Sequence, residues 1–414
     1  MSLSQELEAR GFIHQIAGPS LATIIDGEQR TIYHGIDPSA DSAHAGNFVI
    51  WMLLRYLAQG GHKIVFLVGG GTGMIGDPKP DAERELKDAA AVAENVAKLK
   101  VQAEKFFTGF EIEFVNNLEW LGELKLIDFL RDIGKHYTVN ELIKKDAIAT
   151  RLSSDTGLSY TEFAYPILQG YDYLQLFETK GCTVQIGGSD QWGNIVSGVE
   201  LVRRKKQTEV YAVTVPLIID KATGKKFGKS EGNAVWLDPE KTSPYQFYQF
   251  WLNVSDDSVV EHLKRFTFLS LDEIEKIAEE QQADPGARAA QKALALAVTT
   301  LVHGEEAARA AESVSGILFG GVSLAELSAV EREMLLANAP STEIESGSNV
   351  VDVLVATQLA ASKREARTFV EDGAVSVNGE KVTSVEVEIS AADTIEGVLL
   401  LKRGKKQLSV VLVR

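Results

Sequence analysis

Two short motifs, far apart in the chain, carry side chains that can bind phosphate groups. The first, at 44–47, reads His-Ala-Gly-Asn and opens a predicted helix, where free backbone N–H groups and the helix dipole attract anions. The second, at 226–230, reads Lys-Phe-Gly-Lys-Ser and places two ammonium groups and a hydroxyl on a loop. Together they predict a site that holds a triphosphate and stabilises charge as pyrophosphate leaves. The candidate catalytic residues are His44, Asn47, Lys226, Lys229 and Ser230.

Each motif also has a plain structural explanation. A lone histidine such as His44 is more often a capping or core residue than a catalytic one. The lysines at 225–229 would usually form a solvated basic loop, although beside glycines the same cluster can close over phosphates. The two interpretations stay open for each motif taken alone.

The elements that must position these motifs alternate between strands and helices. Continuous apolar runs at 64–68, 183–188 and 211–219 predict strands of a parallel sheet that is buried on both faces. Helices are expected at 48–59, 82–107 and 194–201, the last capped by Ser189 and Asp190. This alternation predicts a doubly wound, Rossmann-like α/β domain with its ligands beyond the carboxyl ends of the strands.

At 414 residues the chain is too long for a single core. We expect a Rossmann-like catalytic domain over 1–225, then a signature loop and helical domain over 226–337. A polar, breaker-rich linker is expected at 338–349, and a small α+β domain at 350–414, with helices at 351–359 and 363–371.

Composition limits the possible functions. A hydrophobic content of 45% and a charged content of 24% are ordinary for a soluble globular protein, and no apolar run approaches membrane-spanning length. The single cysteine excludes an intrachain disulfide and favours a reducing compartment, and the scattered histidines predict no metal site. The net charge of −16 argues against a protein coated for nucleic acid, yet the tail from 347 is neutral and could present a basic face to RNA.

A glycine-rich turn at 71–76 matches the dinucleotide pattern G-x-G-x-x-G, but this interpretation is rejected. The fingerprint must open a long helix, whereas Asp77-Pro78 and Pro80 interrupt the segment at once. The turn is either purely structural or a glycine floor that lets the backbone approach a ligand. In the second case Asp77 would be a carboxylate at the end of the strand.

Three polar residues, Tyr165, Gln169 and Asp172, have spacings that put them on one face of a helix. Such a face is usually solvated, but the surrounding residues are strongly apolar, so an amide and a carboxylate directed inward are plausible. Tyr33, on the strand before Asp37-Pro38, could reach the same pocket or could be an ordinary strand tyrosine.

Five segments, taken in order, resemble the bacterial-type tyrosyl-tRNA synthetases, which are class I aminoacyl-tRNA synthetases. They lie at 33–38, 44–47, 68–78, 185–194 and 226–230, and the glycine-rich segment at 185–194 is the most specific. The tail is also similar, because 363–367 and 373–379 resemble a small RNA-binding fold found in these synthetases and in a ribosomal protein. The resemblance covers nearly the whole chain.

The resemblance implies a cytoplasmic, homodimeric tyrosine–tRNA ligase with no membrane association. Such an enzyme uses L-tyrosine, ATP with Mg²⁺ and the tRNA for tyrosine, and it carries no prosthetic group. The segment near 118–160 would be a dimerisation insertion. Residues at the matching positions would contact tyrosine (Tyr33, Asp77, Tyr165, Gln169, Asp172, Gln185 and Gln191), ATP (Gly35, Asp37, Ser39, His44, Gly46, Gly188, Asp190, Lys226 and Lys229) and tRNA (Arg203, Arg204, Lys363, Arg364 and Arg367).

The chain departs from the family pattern at two places. The usual second histidine of the first motif is Asn47, which can donate an N–H but cannot carry charge. The lysine that commonly follows the Gly-Asp-Pro turn has no secure equivalent, and Lys79 and Arg84 are the candidates.

Two other functions remain possible. A related nucleotidyltransferase would keep the phosphate motifs but would need neither Tyr33 facing Asp172 nor an RNA-binding tail. A non-catalytic RNA-binding relative of the synthetases would be expected to lose the charged phosphate ligands, which are present here.

Overall fold

We describe the fold from a computed structural model. It describes residues 1–78, 85–153, 157–219, 224, 227, 229–230, 233–320, 324–404 and 407–414, without the side chains at 146, 229, 230, 233 and 320. The chain forms two compact units, which are residues 1–241 with 254–290, and residues 242–253 with 291–414.

The strands and helices follow the chain in this order. The strands are β1 (Gln15–Ala17), β2 (Thr31–Ile36), β3 (Lys63–Val68), β4 (Ile112–Asn116), β5 (Cys182–Gly188), β6 (Tyr211–Val215), β7 (Lys229–Ser230), β8 (Asn233–Ala234), β9 (Ser341–Ile344), β10 (Ser348–Asn349), β11 (Val375–Val377), β12 (Glu380–Lys381), β13 (Glu388–Ile389), β14 (Val398–Arg403) and β15 (Gln407–Val413). The helices are α1 (Leu3–Ala9), α2 (Leu21–Ile25), α3 (Ala45–Gln59), α4 (Ala89–Phe106), α5 (Leu118–Leu121), α6 (Leu126–Asp132), α7 (Val139–Leu142), α8 (Asp146–Leu152), α9 (Tyr160–Lys180), α10 (Trp192–Lys206), α11 (Pro244–Leu252), α12 (Asp256–Phe266), α13 (Leu271–Ala283), α14 (Ala289–His303), α15 (Glu305–Ser315), α16 (Ala329–Asn338), α17 (Val350–Ala356) and α18 (Lys363–Glu371).

A six-stranded sheet organises the first unit. Its strand order is β1-β6-β5-β2-β3-β4, and every neighbouring pair is parallel except β1 with β6. The order of the strands reverses between β2 and β5. A topological switch point therefore lies beyond the carboxyl ends of these two strands, where a doubly wound fold binds its ligands.

Helices cover both faces of this sheet, which explains the continuous apolar runs. On β3, Phe66 packs edge-on against Trp51 of α3, with ring centroids 5.7 Å apart. The alternate residues Val65 and Leu67 belong to a buried cluster on the other face, together with Ile167 of α9. The predicted doubly wound α/β domain is confirmed.

The second unit contains a helical part and a small α+β part. In the small part the strand order is β12-β11-β14-β15-β9, with β9 parallel to β15 and the other neighbours antiparallel. Helices α17 and α18 bury an apolar face together with Leu399, Leu401 and Val411 of the sheet. The expected helical segments and small C-terminal α+β fold are both present.

The structure corrects several element boundaries. The strand expected at 211–219 ends at Val215, because Pro216 follows and cannot donate to the sheet. Asp88 caps helix α4, so the helix expected from 82 begins at Ala89. The residue that precedes helix α10 is Gln191, while Ser189–Gln191 forms a 3₁₀ turn, so Ser189 and Asp190 are not its caps.

The segment expected to be a linker, 338–349, also differs from the prediction. Ser341–Ile344 forms β9, and the backbone N–H of Val410 donates to the carbonyl of Pro340 at 2.8 Å. The sequence concealed this strand because only alternate residues, Thr342 and Ile344, are partly buried and polar residues surround them.

Candidate active site

A cavity of about 730 Å³ opens in the first unit beyond the carboxyl ends of β2 and β5. Apart from those at 226, 229 and 230, the predicted tyrosine, ATP and catalytic residues all line it: Tyr33, Gly35, Asp37, Ser39, His44, Gly46, Asn47, Asp77, Tyr165, Gln169, Asp172, Gln185, Gly188, Asp190 and Gln191. Lys226, Lys79 and Arg84 lie outside the described residues, as do the side chains of Lys229 and Ser230.

One end of the cavity is formed by the carboxylate of Asp172, which is 3% exposed. Its Oδ1 accepts a hydrogen bond from Trp120 Nε1 at 2.7 Å and its Oδ2 accepts one from Asn117 Nδ2 at 2.9 Å. Burial raises the pKa of Asp172 to about 7, although these two hydrogen bonds act in the opposite direction. The carboxylate is therefore fixed in position and poised to titrate near neutral pH.

Asn117 is a central residue that the sequence did not reveal. It is fully buried, and besides Asp172 its Nδ2 donates to Thr72 Oγ1 at 2.9 Å. Its Oδ1 accepts from the backbone N–H of Gly71 at 2.8 Å. Its place directly after β4, at the carboxyl end of a strand, was the available signal.

Three buried polar atoms in the cavity wall have no hydrogen-bond partner in the part of the chain that the structure describes. They are Tyr33 Oη, Gln169 Oε1 and Gln185 Oε1. Burial raises the pKa of Tyr33 well above its ordinary value, so this hydroxyl stays protonated. Because an unpaired buried polar group is costly, these three atoms indicate a ligand that completes their hydrogen bonds.

The residues that helical spacing places on one face of α9 line the cavity. Tyr165 donates from its hydroxyl to Asp37 Oδ2 at 2.7 Å, and Thr72 donates to Asp37 Oδ1 at 2.7 Å. Burial, followed by the neighbouring Asp37, raises the pKa of Tyr165 well above its ordinary value. Asp37, which is predicted to contact ATP, thus orients the hydroxyl group of the Tyr165 side chain.

A second carboxylate, Asp77, is held by two amides. Gln191 Nε2 donates to its Oδ2 and Asn194 Nδ2 donates to its Oδ1, both at 2.8 Å. The structure therefore brings together two residues that the sequence places far apart, Asp77 and Gln191. Asn194, on the first turn of α10, is another residue that sequence reasoning did not select.

His44 is the N-cap of helix α3 and also lines the cavity. Its Nδ1 accepts from the backbone N–H of Gly46 at 3.0 Å, and its own backbone N–H donates to Asn47 Oδ1 at 3.2 Å. Acceptance at Nδ1 assigns the ring proton to Nε2 in the neutral imidazole. The capping and ligand-facing interpretations of this histidine are therefore compatible.

The two phosphate motifs meet in space. A Cβ placed on Gly46 would lie only 2.9 Å from His44 Cε1 and 3.1 Å from the carbonyl oxygen of Phe227, so this position has room for glycine alone. Phe227 is buried and lines the cavity, and its backbone N–H donates to the carbonyl of Ile218 at 2.8 Å. The second motif is thereby anchored against the first.

The glycine turn after β3 packs closely against other parts of the protein. A Cβ on Gly70 would lie 2.3 Å from Asn116 Oδ1, and one on Gly73 would lie 2.8 Å from Pro38 Cδ. These glycines therefore give room to side chains of the protein itself. As expected, the turn opens no long helix, since Thr72–Met74 is a short 3₁₀ turn.

The residues predicted to contact tRNA lie outside this cavity. On α10, Arg203 pairs with Glu200 at 2.6 Å, and Arg204 pairs with Glu141 at 3.1 Å. On α18, Lys363, Arg364 and Arg367 are all exposed, while Ala366 and Val370 of the same helix are buried.

An exposed apolar surface covers helices α5 to α9. Leu126 is 69% exposed, Ile127 is 68% exposed and Tyr160 is 72% exposed. A groove of about 300 Å³ in the same region is lined by Leu118, Leu121 and other apolar side chains. Among all the described residues, no helix is long and apolar enough to cross a membrane.

The comparisons with known proteins agree with this architecture. Residues 26–320 match the family described as "tRNA synthetases class I (W and Y)", and residues 331–411 match the "tyrosine–tRNA ligase SYY-like C-terminal domain". The chain belongs to this family of class I aminoacyl-tRNA synthetases.

Full-length relatives narrow the comparison further. The chain is 49% identical over 413 residues to tyrosine–tRNA ligase 2 of Enterococcus faecalis, with 97% of each chain covered. It is 48% identical over 421 aligned positions to the tyrosine–tRNA ligase of Streptococcus suis, with 99% of this chain and 100% of that protein covered. Among solved structures, a C-terminally truncated mitochondrial tyrosyl-tRNA synthetase of Aspergillus nidulans superposes with a TM-score of 0.70 at 32% identity, covering 77% of this chain and 94% of that chain.

Proposed function

We propose that this protein is a tyrosine–tRNA ligase. It would activate L-tyrosine with ATP to give tyrosyl-adenylate and pyrophosphate, and then transfer the tyrosyl group to the 3′-terminal adenosine of its tRNA. The observation that carries the proposal is the buried pair Asp172 and Tyr33 at one end of the cavity, in a chain whose full-length relatives bear this activity in their names.

This pair suits a phenol better than the other aromatic side chains. A phenol hydroxyl can donate to the carboxylate of Asp172 and accept from the hydroxyl of Tyr33. The indole of tryptophan can only donate, and the ring of phenylalanine can do neither. Each of these would leave a buried polar group unpaired, at a cost of about 1–3 kcal/mol.

The middle of the cavity suits the ammonium group of an amino acid. Asp77 supplies a negative charge, and the unpaired Oε1 of Gln169 supplies an acceptor. The amino acid would then lie with its ring toward Asp172 and its carboxylate toward the His44 motif. Gln191, which holds Asp77, and Gln185 would complete this part of the site.

Chemistry would occur where the two phosphate motifs meet. The tyrosine carboxylate attacks the α-phosphorus of ATP, a P–O bond forms, and the bond to pyrophosphate breaks with its electron pair going to pyrophosphate. Mg²⁺ would arrive with ATP as part of the substrate. His44, and the lysines Lys226 and Lys229, would stabilise charge on the leaving phosphates without any covalent intermediate on the protein. A terminal ribose hydroxyl of the tRNA then attacks the activated carbonyl and releases AMP.

The remaining surfaces support the wider assembly. The exposed apolar surface of α5–α9 would be covered in a homodimer, since patches of this kind mark interaction sites. The exposed basic residues of α18 and the arginines of α10 would contact tRNA phosphates. We place the enzyme in the cytoplasm, in keeping with its single buried cysteine.

The experiment that tests the proposal is exchange of radiolabelled pyrophosphate into ATP, measured with tyrosine, tryptophan or phenylalanine as the amino acid. Exchange that depends on tyrosine supports the proposal. Exchange without any amino acid would favour a nucleotidyltransferase. The absence of exchange combined with tight tRNA binding would favour a non-catalytic relative. Sedimentation of the free enzyme tests the dimer.

A further inference from the structure

One lysine outside all the predicted positions lies beside the cavity. Lys87 Nζ donates to the backbone carbonyl of Ser39 at 2.5 Å, and Ser39 lines the cavity between Asp37 and the His44 motif. Both residues are exposed, so the ammonium group lies at the solvent edge of the site. An ammonium group has three N–H donors, and this hydrogen bond uses one of them.

The position of Lys87 is set by the helix that follows it. Asp88 caps α4 by accepting from the backbone N–H of Ala91 at 2.8 Å. One turn further on, Asn95 Nδ2 donates to the carbonyl of Pro38 at 2.9 Å. Helix α4 is therefore docked on the segment that contains Ser39, and Lys87 is held at this edge by the fold.

Two other lysines lie nearby, but their charges are already matched. Lys98 Nζ is 2.9 Å from Glu94 Oε1 and 3.4 Å from Asp41 Oδ2, and Lys241 Nζ is 2.5 Å from Asp41 Oδ1. The hydrogen bond from Lys241 is the main reason that the pKa of Asp41 is lowered. Lys87 is different, because it has no carboxylate within ion-pair distance in the described ranges, and it donates to a neutral carbonyl.

The charge of the cavity makes such a cation useful. Its described lining includes the carboxylates of Asp37, Asp77, Asp172 and Asp190. A triphosphate brought to this cavity needs positive groups at the edge where its β- and γ-phosphates lie, since these carboxylates would otherwise repel it.

We propose that Lys87 binds the β- and γ-phosphates of ATP and then the departing pyrophosphate, from the edge of the site where Ser39 lies. This inference rests on the proposed function. It identifies a phosphate ligand in a part of the chain where the family pattern supplies no secure lysine.

The alternative is that Lys87 merely ties the chain to Ser39. The test separates the two roles with three variants in the pyrophosphate exchange assay. Lys87→Ala removes charge and hydrogen bond, Lys87→Arg keeps the charge, and Lys105→Ala removes an exposed lysine from the far end of the same helix.

A phosphate ligand predicts that Lys87→Ala raises the KM for pyrophosphate and for ATP about tenfold, as expected for a lost charge-assisted hydrogen bond at an exposed site. The KM for tyrosine should not change, Lys87→Arg should restore most of the affinity, and Lys105→Ala should resemble the unmodified enzyme. Unchanged KM values for pyrophosphate and ATP in Lys87→Ala would overturn the inference, as would parallel losses for tyrosine.

Failure of the proposed function would look different. If the unmodified protein showed no tyrosine-dependent exchange, calorimetric titration with Mg-ATP and with inorganic pyrophosphate would still measure the contribution of Lys87. Weaker binding in Lys87→Ala than in Lys105→Ala would then support the inference, and equal binding would refute it.

Discussion

Replacing Asp172 by asparagine tests the amino acid site most directly, because the two side chains have the same shape. The carboxylate accepts from both Asn117 and Trp120, whereas an amide has one acceptor oxygen and one NH₂ group. At least one of the two buried donors would then face another donor. In addition, the phenol hydroxyl of tyrosine would lose its ionised acceptor.

The expected loss can be worked out from these contacts. A hydrogen bond to a charged group contributes about 1.5–3 kcal/mol, so the KM for tyrosine should rise roughly 10- to 150-fold at alkaline pH. The KM for ATP should change little, because Asp172 lies at the amino acid end of the cavity. Pyrophosphate exchange with varied tyrosine measures both constants.

The pH dependence provides a sharper signature. Because burial raises the pKa of Asp172 to about 7, the unmodified enzyme should lose affinity for tyrosine as the pH falls through this value and the carboxyl becomes neutral. In Asp172→Asn this dependence should disappear. A variant with unchanged tyrosine kinetics, or one that kept the same pH profile, would refute the assignment of Asp172 to the phenol.

The raised pKa of Asp172 also affects the stability of the fold. Tyrosine affinity should rise with pH, whereas the contribution of Asp172 to stability should fall. The pKa is raised in the folded state, from 3.8 to about 7, so the folded state keeps a proton that the unfolded chain has lost between these values. The contribution of Asp172 to stability is therefore fully present below pH 3.8 and is lost as the pH rises to about 7. Asp172→Asn should lack this pH dependence, so in thermal unfolding the stability of the unmodified protein relative to the variant should fall as the pH rises from 3.8 to about 7.

Three further predictions follow from other contacts. Tyr33→Phe should raise the KM for tyrosine less than Asp172→Asn does, by roughly tenfold, because a neutral partner is lost; its exchange activity with phenylalanine relative to tyrosine should increase, and an unaltered ratio would contradict the role of Tyr33. His44→Asn keeps a side chain that can cap α3, so its unfolding temperature should be preserved while single-turnover adenylate formation slows roughly a hundredfold at unchanged tyrosine affinity. His44→Ala should lower the unfolding temperature as well as the rate, and a collapse of tyrosine binding in His44→Asn would show that His44 is structural. A chain that ends at Pro340 lacks strands β9 to β15 as a set, so it should still form tyrosyl-adenylate but should charge tRNA with a much higher KM for tRNA. Loss of pyrophosphate exchange would mean instead that residues 341–414 support the core.

The cavity wall on α9 could be predicted from sequence because its information is local. Tyr165, Gln169 and Asp172 are spaced by one helical turn, so any helix there brings them to one face. The residues that hold them could not be predicted in this way. Asn117 and Asp172 are 55 positions apart, and only the pairing of parallel strands brings the end of β4 beside α9.

Two segments are held by partners that lie far away in the sequence. The glycine turn after β3 was open to a structural and a ligand-facing interpretation, and Asn116 and Pro38 occupy the space beside two of its glycines. The segment 338–349 was expected to be a linker, but Ser341–Ile344 pairs with β15 at the other end of the small domain. The local sequence pattern correctly indicated backbone freedom in the glycine turn and polarity in the segment 338–349. The partner that gives the segment its role lies elsewhere in the chain.

The charges of the site are separated in space, and this separation matches the two substrates. Asp77, held by Gln191 and Asn194, lies in the cavity, where the ammonium group of an amino acid would need a negative charge. The ammonium group of Lys87 lies instead at the solvent edge, next to the segment that leads to His44. The ammonium group of an amino acid that enters such a site is attracted to the carboxylate of Asp77, and a triphosphate is attracted to the ammonium group of Lys87. Their reacting groups, a carboxylate and a phosphate that repel each other in water, therefore meet at the boundary, where His44 caps α3 and Phe227 anchors the second motif.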